Sequence, residues 1–107
     1  MQIVTVAARI RFAEEKMQKV GLFEMDWCLF ELYCLKPGQA QKVHTHAGSD
    51  KVCYVLSGRA TVRVGAEQQD IAADQAVLAP AGEEHGVAAA GEEPLTLLVF
   101  MAPKSIH

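Results

Sequence analysis

Residues 51–65 read KVCYVLSGRATVRVG, and this stretch decides the fold class. Lys51–Leu56 is an apolar run rich in β-branched and aromatic residues, bounded by the turn pair Ser57-Gly58. Ala60–Val64 then alternates, with Arg63 outward among apolar partners, and Gly65 closes it. The same grammar continues downstream. Ile71–Ala73 and Ala76–Ala79 flank a turn at Asp74-Gln75, His85–Ala90 is short and small-residued, and Leu95–Met101 reads as a buried strand. Upstream, Asp26–Lys36 is an aromatic-rich strand that ends at Pro37-Gly38. Seven or eight short strands, separated by turns at 8–12-residue intervals, predict an all-β sandwich or barrel. A doubly wound α/β fold fails because no helix lies between the strands.

The first twenty residues read differently. Residues 2–10 (QIVTVAARI) have the composition of an edge strand. Ala13–Val20 has acids first and a lysine late, which suits a short helix closed by Gly21.

Composition bounds the rest. At 107 residues the chain has the usual size of one domain, with no internal boundary or repeat, so 1–107 is read as a single domain. A chain of this length buries roughly 65% of its unfolded surface, enough for one core without staples. Half the residues are apolar and 21% are charged, which excludes disordered and collagen-like classes. Ten Lys+Arg against thirteen Asp+Glu give a net charge of −3, which argues against nucleic-acid or membrane-surface partners. No apolar stretch approaches the ~20 residues needed to span a bilayer, and no export signal is visible. Cys28, Cys34 and Cys53 are read as reduced thiols, the first two as core residues, and a cytoplasmic location is expected.

The chemistry lies in the histidines. His44-Thr45-His46 places two imidazoles on alternate positions of an extended segment, ~6.7 Å apart along the chain. Both can then lean toward one metal at ~2.1 Å. His85 follows a second turn and opens another strand. If the two strand starts face one another across a barrel, three imidazoles converge near one rim.

These residues carry a family resemblance. Gly38-x5-His44-x-His46-x4-Lys51-x6-Gly58 resembles the first cupin motif, with lysine where the family has glutamate. Asp74-x5-Pro80-x-Gly82-x2-His85-x3-Ala89 resembles the second, with Asp74 for its opening glycine and Ala89 for its closing asparagine. The match covers about residues 35–102, with residues 2–20 lying outside it. The resemblance implies a double-stranded β-helix, or jelly-roll, barrel of the small single-domain conserved-barrel kind. It implies a divalent transition metal (Fe, Mn, Ni, Zn or Cu) held at one mouth by His44, His46 and His85. His107 matches nothing in the motifs and reads as a frayed terminus.

Position 51 is the departure. An ammonium ~5 Å from a divalent ion would be repelled by about 7 kcal/mol at an effective dielectric of 20. Lys51 therefore turns away to pair with an acid, or is neutral inside, or the barrel holds no metal. A local bulge that brought Asp50 inward would restore an anionic fourth ligand.

Two function classes follow. One is an enzyme acting on a small organic molecule by dioxygenation, decarboxylation or isomerisation, with Lys51 or Glu31 as acid, base or anchor. The other is a barrel that binds a small ligand or a metal, as in a sensor, without turnover. A homodimer is expected, because Trp27, Tyr33, Tyr54 and Phe100 are more large rings than one narrow barrel hides.

Overall fold

The computed structural model describes residues 1–45 and 47–104. Nine strands follow in chain order: β1 (Gln18–Glu24), β2 (Leu29–Leu35), β3 (Ala40–Thr45), β4 (Asp50–Ser57), β5 (Arg59–Val64), β6 (Glu67–Ala72), β7 (Ala76–Ala79), β8 (Glu84–Ala90) and β9 (Leu95–Ala102). They form two sheets, ordered β1-β2-β9-β4-β7 and β3-β8-β5-β6, with every pairing antiparallel. This is a jelly roll: the strand spacing predicted an all-β sandwich or barrel, and the family resemblance implied this form of it.

The core lies between the sheets. Tyr33, Leu35, Val55, Leu95, Leu97 and Val99 face inward from the larger sheet, meeting Ala60, Val62, Val87 and Ala89 from the smaller. In β4 burial alternates as a half-buried strand requires, with Lys51, Cys53 and Val55 on the inner side. At the β4–β5 turn Gly58 has φ +88° and crosses the backbone of Pro94; a Cβ there would lie 2.3 Å from the Pro94 carbonyl oxygen. Only glycine fits.

The N-terminal quarter overturns two expectations. Residues 2–10 hold no strand; Val6–Arg9 forms one 3-10 turn. Val4, Val6 and Phe12 pack, with Leu98, against the cluster of Val20, Leu22, Leu32 and Cys34, capping part of the outer face of the larger sheet. Ala13–Val20 is not helical either. It bends at residues 14–16 and enters β1, with Gly21 inside that strand. The helical composition was real, but Val20 and Leu22 alternate, and pairing with β2 buries both. Tertiary pairing outweighed a weak local propensity.

The rest of that face is covered only in part. Phe23, Phe30, Phe100, Val52 and Leu78 stand in register across all five strands; Phe23 and Phe30 pack at the edge of the same cluster, while Phe100 is 39% and Leu78 55% exposed. Trp27 is 74% exposed, whereas Tyr33 is buried. The three cysteines are free; Cys34 and Cys53 are buried, while Cys28 is only half-buried, against the core reading given to it.

Candidate functional site

The site forms at one end of the barrel, where a defect in β3 sets its geometry. Gln41 pairs with Val87 and His44 with His85, so three residue steps on β3 oppose two on β8. That extra residue is a β-bulge, and it lets Gln41 and His44 both face inward although strict alternation would put them on opposite sides. Gly86 makes room for it: a Cβ at that position would lie 3.0 Å from Val43 Cγ2 and 3.3 Å from the Gln41 carbonyl oxygen.

His44 and His85 are thus direct neighbours on adjacent strands of the smaller sheet, not partners across the barrel. Their ring centroids are 4.4 Å apart, tilted by 58°. His44 Nδ1 lies 2.8 Å from the Lys42 carbonyl oxygen, and His85 Nδ1 lies 3.2 Å from that of Glu83. A carbonyl only accepts, so each Nδ1 carries the proton, and in the neutral ring Nε2 keeps its lone pair. Burial lowers the His85 pKa below the usual imidazole value, and the charges of Lys51 and His44 push the same way; the bond to Glu83 opposes them. His46 lies outside the described residues, as does His107.

Lys51 enters from the facing sheet. Its side chain is 2% exposed. Nζ donates to Gln41 Oε1 at 3.0 Å and sits 4.8 Å from the centre of the Tyr33 ring. This hydrogen bond ties the two sheets together. Burial pulls the Lys51 pKa from 10.5 down to about 8, with Lys19 adding repulsion and Cys53 and Glu31 opposing. The same burial pushes Tyr33 above the ordinary phenol range and raises the Cys53 thiol.

The structure separates the two residues offered for the missing carboxylate. Asp50 is exposed and its Oδ1 accepts the Ala81 N–H at 2.9 Å, so the carboxylate caps the β7–β8 turn. Lys51 faces the interior and does not turn away to an acid; among the described residues no carboxylate lies within ion-pair range of it. Glu31 is half-buried in register with Val99, which pairs with Cys53, and acts on Lys51 only from a distance. Asp74 adopts φ +71°, so here aspartate takes the left-handed turn usually given to glycine.

Lys51, Gln41 and His85 line a narrow cavity of about 20 Å³, walled by Cys53, Val62 and Val87. That is room for about one water-sized group. Val62, Val64 and Val77 also wall an open cleft of about 510 Å³, whose rim carries Glu67, Gln68 and Glu83. Gln41 and Tyr33 escaped the sequence reading as site residues; Gln41 sits on the wrong parity relative to His44 unless the bulge is known.

Two antiparallel sheets rolled over one core, with two imidazoles side by side at one mouth, define a barrel of the double-stranded β-helix class. The chain belongs to the cupin family, whose cupin-domain pattern matches residues 31–101. It is similar to an uncharacterized protein of Streptomyces coelicolor, 33% identical over 98 residues, covering 92% of this chain and 83% of that one. The tetracenomycin polyketide synthase protein TcmJ of Streptomyces glaucescens is 30% identical over 69 residues, covering 64% of this chain and 46% of its own. The crystal structure of TT1209 from Thermus thermophilus superposes with a TM-score of 0.95 at 47% identity, covering 98% of this chain and all of that one.

Cupins often bind a transition metal, and the donor chemistry of the imidazole pair fits one, because a backbone carbonyl holds each Nδ1 and leaves Nε2 as the ligating type of nitrogen. Among the described residues no three His, Cys, Asp or Glu side chains are grouped closely enough to hold an ion. No helix among them is long and apolar enough to cross a membrane.

Proposed function

We propose that the chain is a small-molecule cupin whose mouth holds a divalent transition metal through His44 and His85, with His46 as third imidazole. The observation that supports this reading is the side-by-side pair, each ring oriented by a backbone carbonyl through Nδ1. When bound, the metal supplies Lewis-acid polarisation of an oxygen-bearing group on the substrate. The chain's own residues do the rest. Gln41 fixes the Lys51 ammonium, and Lys51 Nζ, with a pKa of about 8, can hold or release a proton near neutral pH. Val62, Val64 and Val77 keep the inner end dry, and the outer cleft receives the body of the ligand. Dioxygenation, decarboxylation and isomerisation are the reaction classes such a site serves.

Lys51 also favours a second reading, binding without turnover, since an ammonium stands where the family has a metal-ligating glutamate. Metal content of protein purified without a histidine tag, measured together with oxygen uptake, carbon dioxide release and conversion of supplied small organic acids, separates the two. Stoichiometric metal with conversion of any supplied acid supports the enzyme, and metal or ligand bound with no conversion supports the binding barrel. Protein that takes up no metal from a buffered excess of Fe, Mn, Ni, Zn and Cu refutes the metal in both.

A further inference from the structure

We propose that the inner cavity is a carboxylate site, in which the Lys51 ammonium pairs with the head of a small monocarboxylate whose body lies in the outer cleft. The inference concerns the mouth assigned above but does not depend on the metal. Lys51 is 2% exposed, yet among the described residues no carboxylate lies close enough to neutralise it. Asp50, its neighbour in sequence, is turned outward onto the Ala81 N–H, and the buried Cys53 thiol stays protonated because burial raises its pKa. A buried cation without a counter-ion is costly. Here its compensation from described residues is one amide oxygen, one ring face, the Cys53 sulfur and the distant Glu31, with no carboxylate in contact. An ammonium has three donors, and Gln41 takes one. Lys51 lines the cavity, whose volume of about 20 Å³ admits one water-sized polar group beside it.

The walls select the kind of anion. Beyond Lys51, Gln41 and His85 the walls are Cys53, Val62 and Val87, too apolar to replace the hydration of a multiply charged ion such as phosphate, so stripping its water goes largely unrepaid. A carboxylate carries one charge, presents one oxygen to a small space, and can bring an apolar body. That body has a place, since Val62, Val64 and Val77 run from the cavity into the outer cleft.

The experiment uses the full chain at pH 7, stripped of metal with a chelator, and titrates it with propionate and with its uncharged isostere propionamide by calorimetry. Saturable propionate binding with a Kd of roughly 1 mM, at least about tenfold tighter than propionamide, is the expected result. Lys51→Met, a near-isosteric loss of the charge, should reduce propionate binding by at least about tenfold. Equal binding of the two probes to the unaltered protein, propionate binding undiminished in Lys51→Met, or no saturation up to roughly 100 mM overturns the proposal. The isostere comparison needs no variant, so it decides even if Lys51→Met fails to fold. Because the protein is metal-free throughout, failure here leaves the metal reading standing, and failure to take up metal leaves this one standing.

Discussion

Replacing Lys51 by methionine should make the protein more stable, although it removes a hydrogen bond that joins the two sheets. The side chain is 2% exposed and burial pulls its pKa from 10.5 to about 8. At about 1.4 kcal/mol per pKa unit, holding it charged in the folded state at pH 7 costs about 3 kcal/mol relative to the unfolded chain. Methionine removes that cost and fills a similar volume. Against it stands Gln41 Oε1, which loses its donor at a cost of about 1–3 kcal/mol. The single variant should therefore gain about 1 kcal/mol, and Lys51→Met with Gln41→Leu should recover about 3 kcal/mol. The gain changes with pH in a defined way. A lysine whose pKa is depressed on folding penalises the folded state fully below about pH 8, and that penalty fades as pH rises toward 10.5. Unfolded thiols ionise in the same window, and the raised pKa values of Cys34 and Cys53 make this destabilising, but those groups are common to both proteins. Urea unfolding from pH 6 to pH 10, plotted as the difference between variant and parent, isolates Lys51. The advantage of the variant should shrink between pH 8 and pH 10. A variant less stable than its parent at pH 7, with a difference that does not change with pH, would refute the reasoning: the ammonium would then be well compensated in the fold.

Three further outcomes can be checked. Gly58→Ala should cost about 3 kcal/mol or more by urea unfolding, since a Cβ would meet the Pro94 carbonyl oxygen at 2.3 Å from a backbone with φ +88°. His44→Ala and His85→Ala should each weaken metal uptake at least about tenfold while the far-ultraviolet circular dichroism stays β-type, because both rings stand at the mouth. We also propose that the row Phe23–Phe30–Phe100–Val52–Leu78, exposed at Phe100 and Leu78, packs against a second copy of the chain. Light scattering should give about twice 11.6 kDa for the parent and about 11.6 kDa for Phe100→Glu, and a monomeric parent at micromolar concentration would sink the idea.

β4, β5 and β8 were legible because each buries alternate residues, so a period of two is written in the side chains, as Lys51-Val52-Cys53-Tyr54-Val55 shows. β9 was legible as a continuous apolar run, since it is buried at most positions. β6 was legible only at its end, because Glu67–Asp70 are polar and exposed and carry no burial pattern. The first forty-five residues were harder. Val4, Val6 and Phe12 are apolar for a reason no local pattern expresses, since they cap the outside of a sheet formed by residues far along the chain. β1 was masked by Glu14, Glu15 and Lys16, which look helical in composition but occupy a bend. At the site, His44 and His85 were visible from spacing. Their relation as strand neighbours was not, because antiparallel register between β3 and β8 depends on a bulge with no sequence signature of its own. The orientation of Lys51 was open between three possibilities. Its inward pose follows from the parity of β4, which places Asp50 outside whenever Cys53 and Val55 are inside.

The bulge in β3 acts as a phase-shifter in the strand. Before it, odd-numbered residues look into the barrel, and after it, even-numbered ones do, as Gln41 and His44 record. Counting alternate positions through this strand therefore misassigns one half of it, whichever half is used as the anchor. The bulge is what lets two positions of opposite parity serve one mouth. With Lys42 and Val43 held in unbroken alternation, Gln41 and His44 would face opposite sides, and the mouth would lose either the polar partner of Lys51 or the first imidazole. Removing Lys42 would instead leave Gln41 and His44 two steps apart, opposite Val87 and His85, so a strand without the bulge reaches the same pair of inward side chains with one residue fewer.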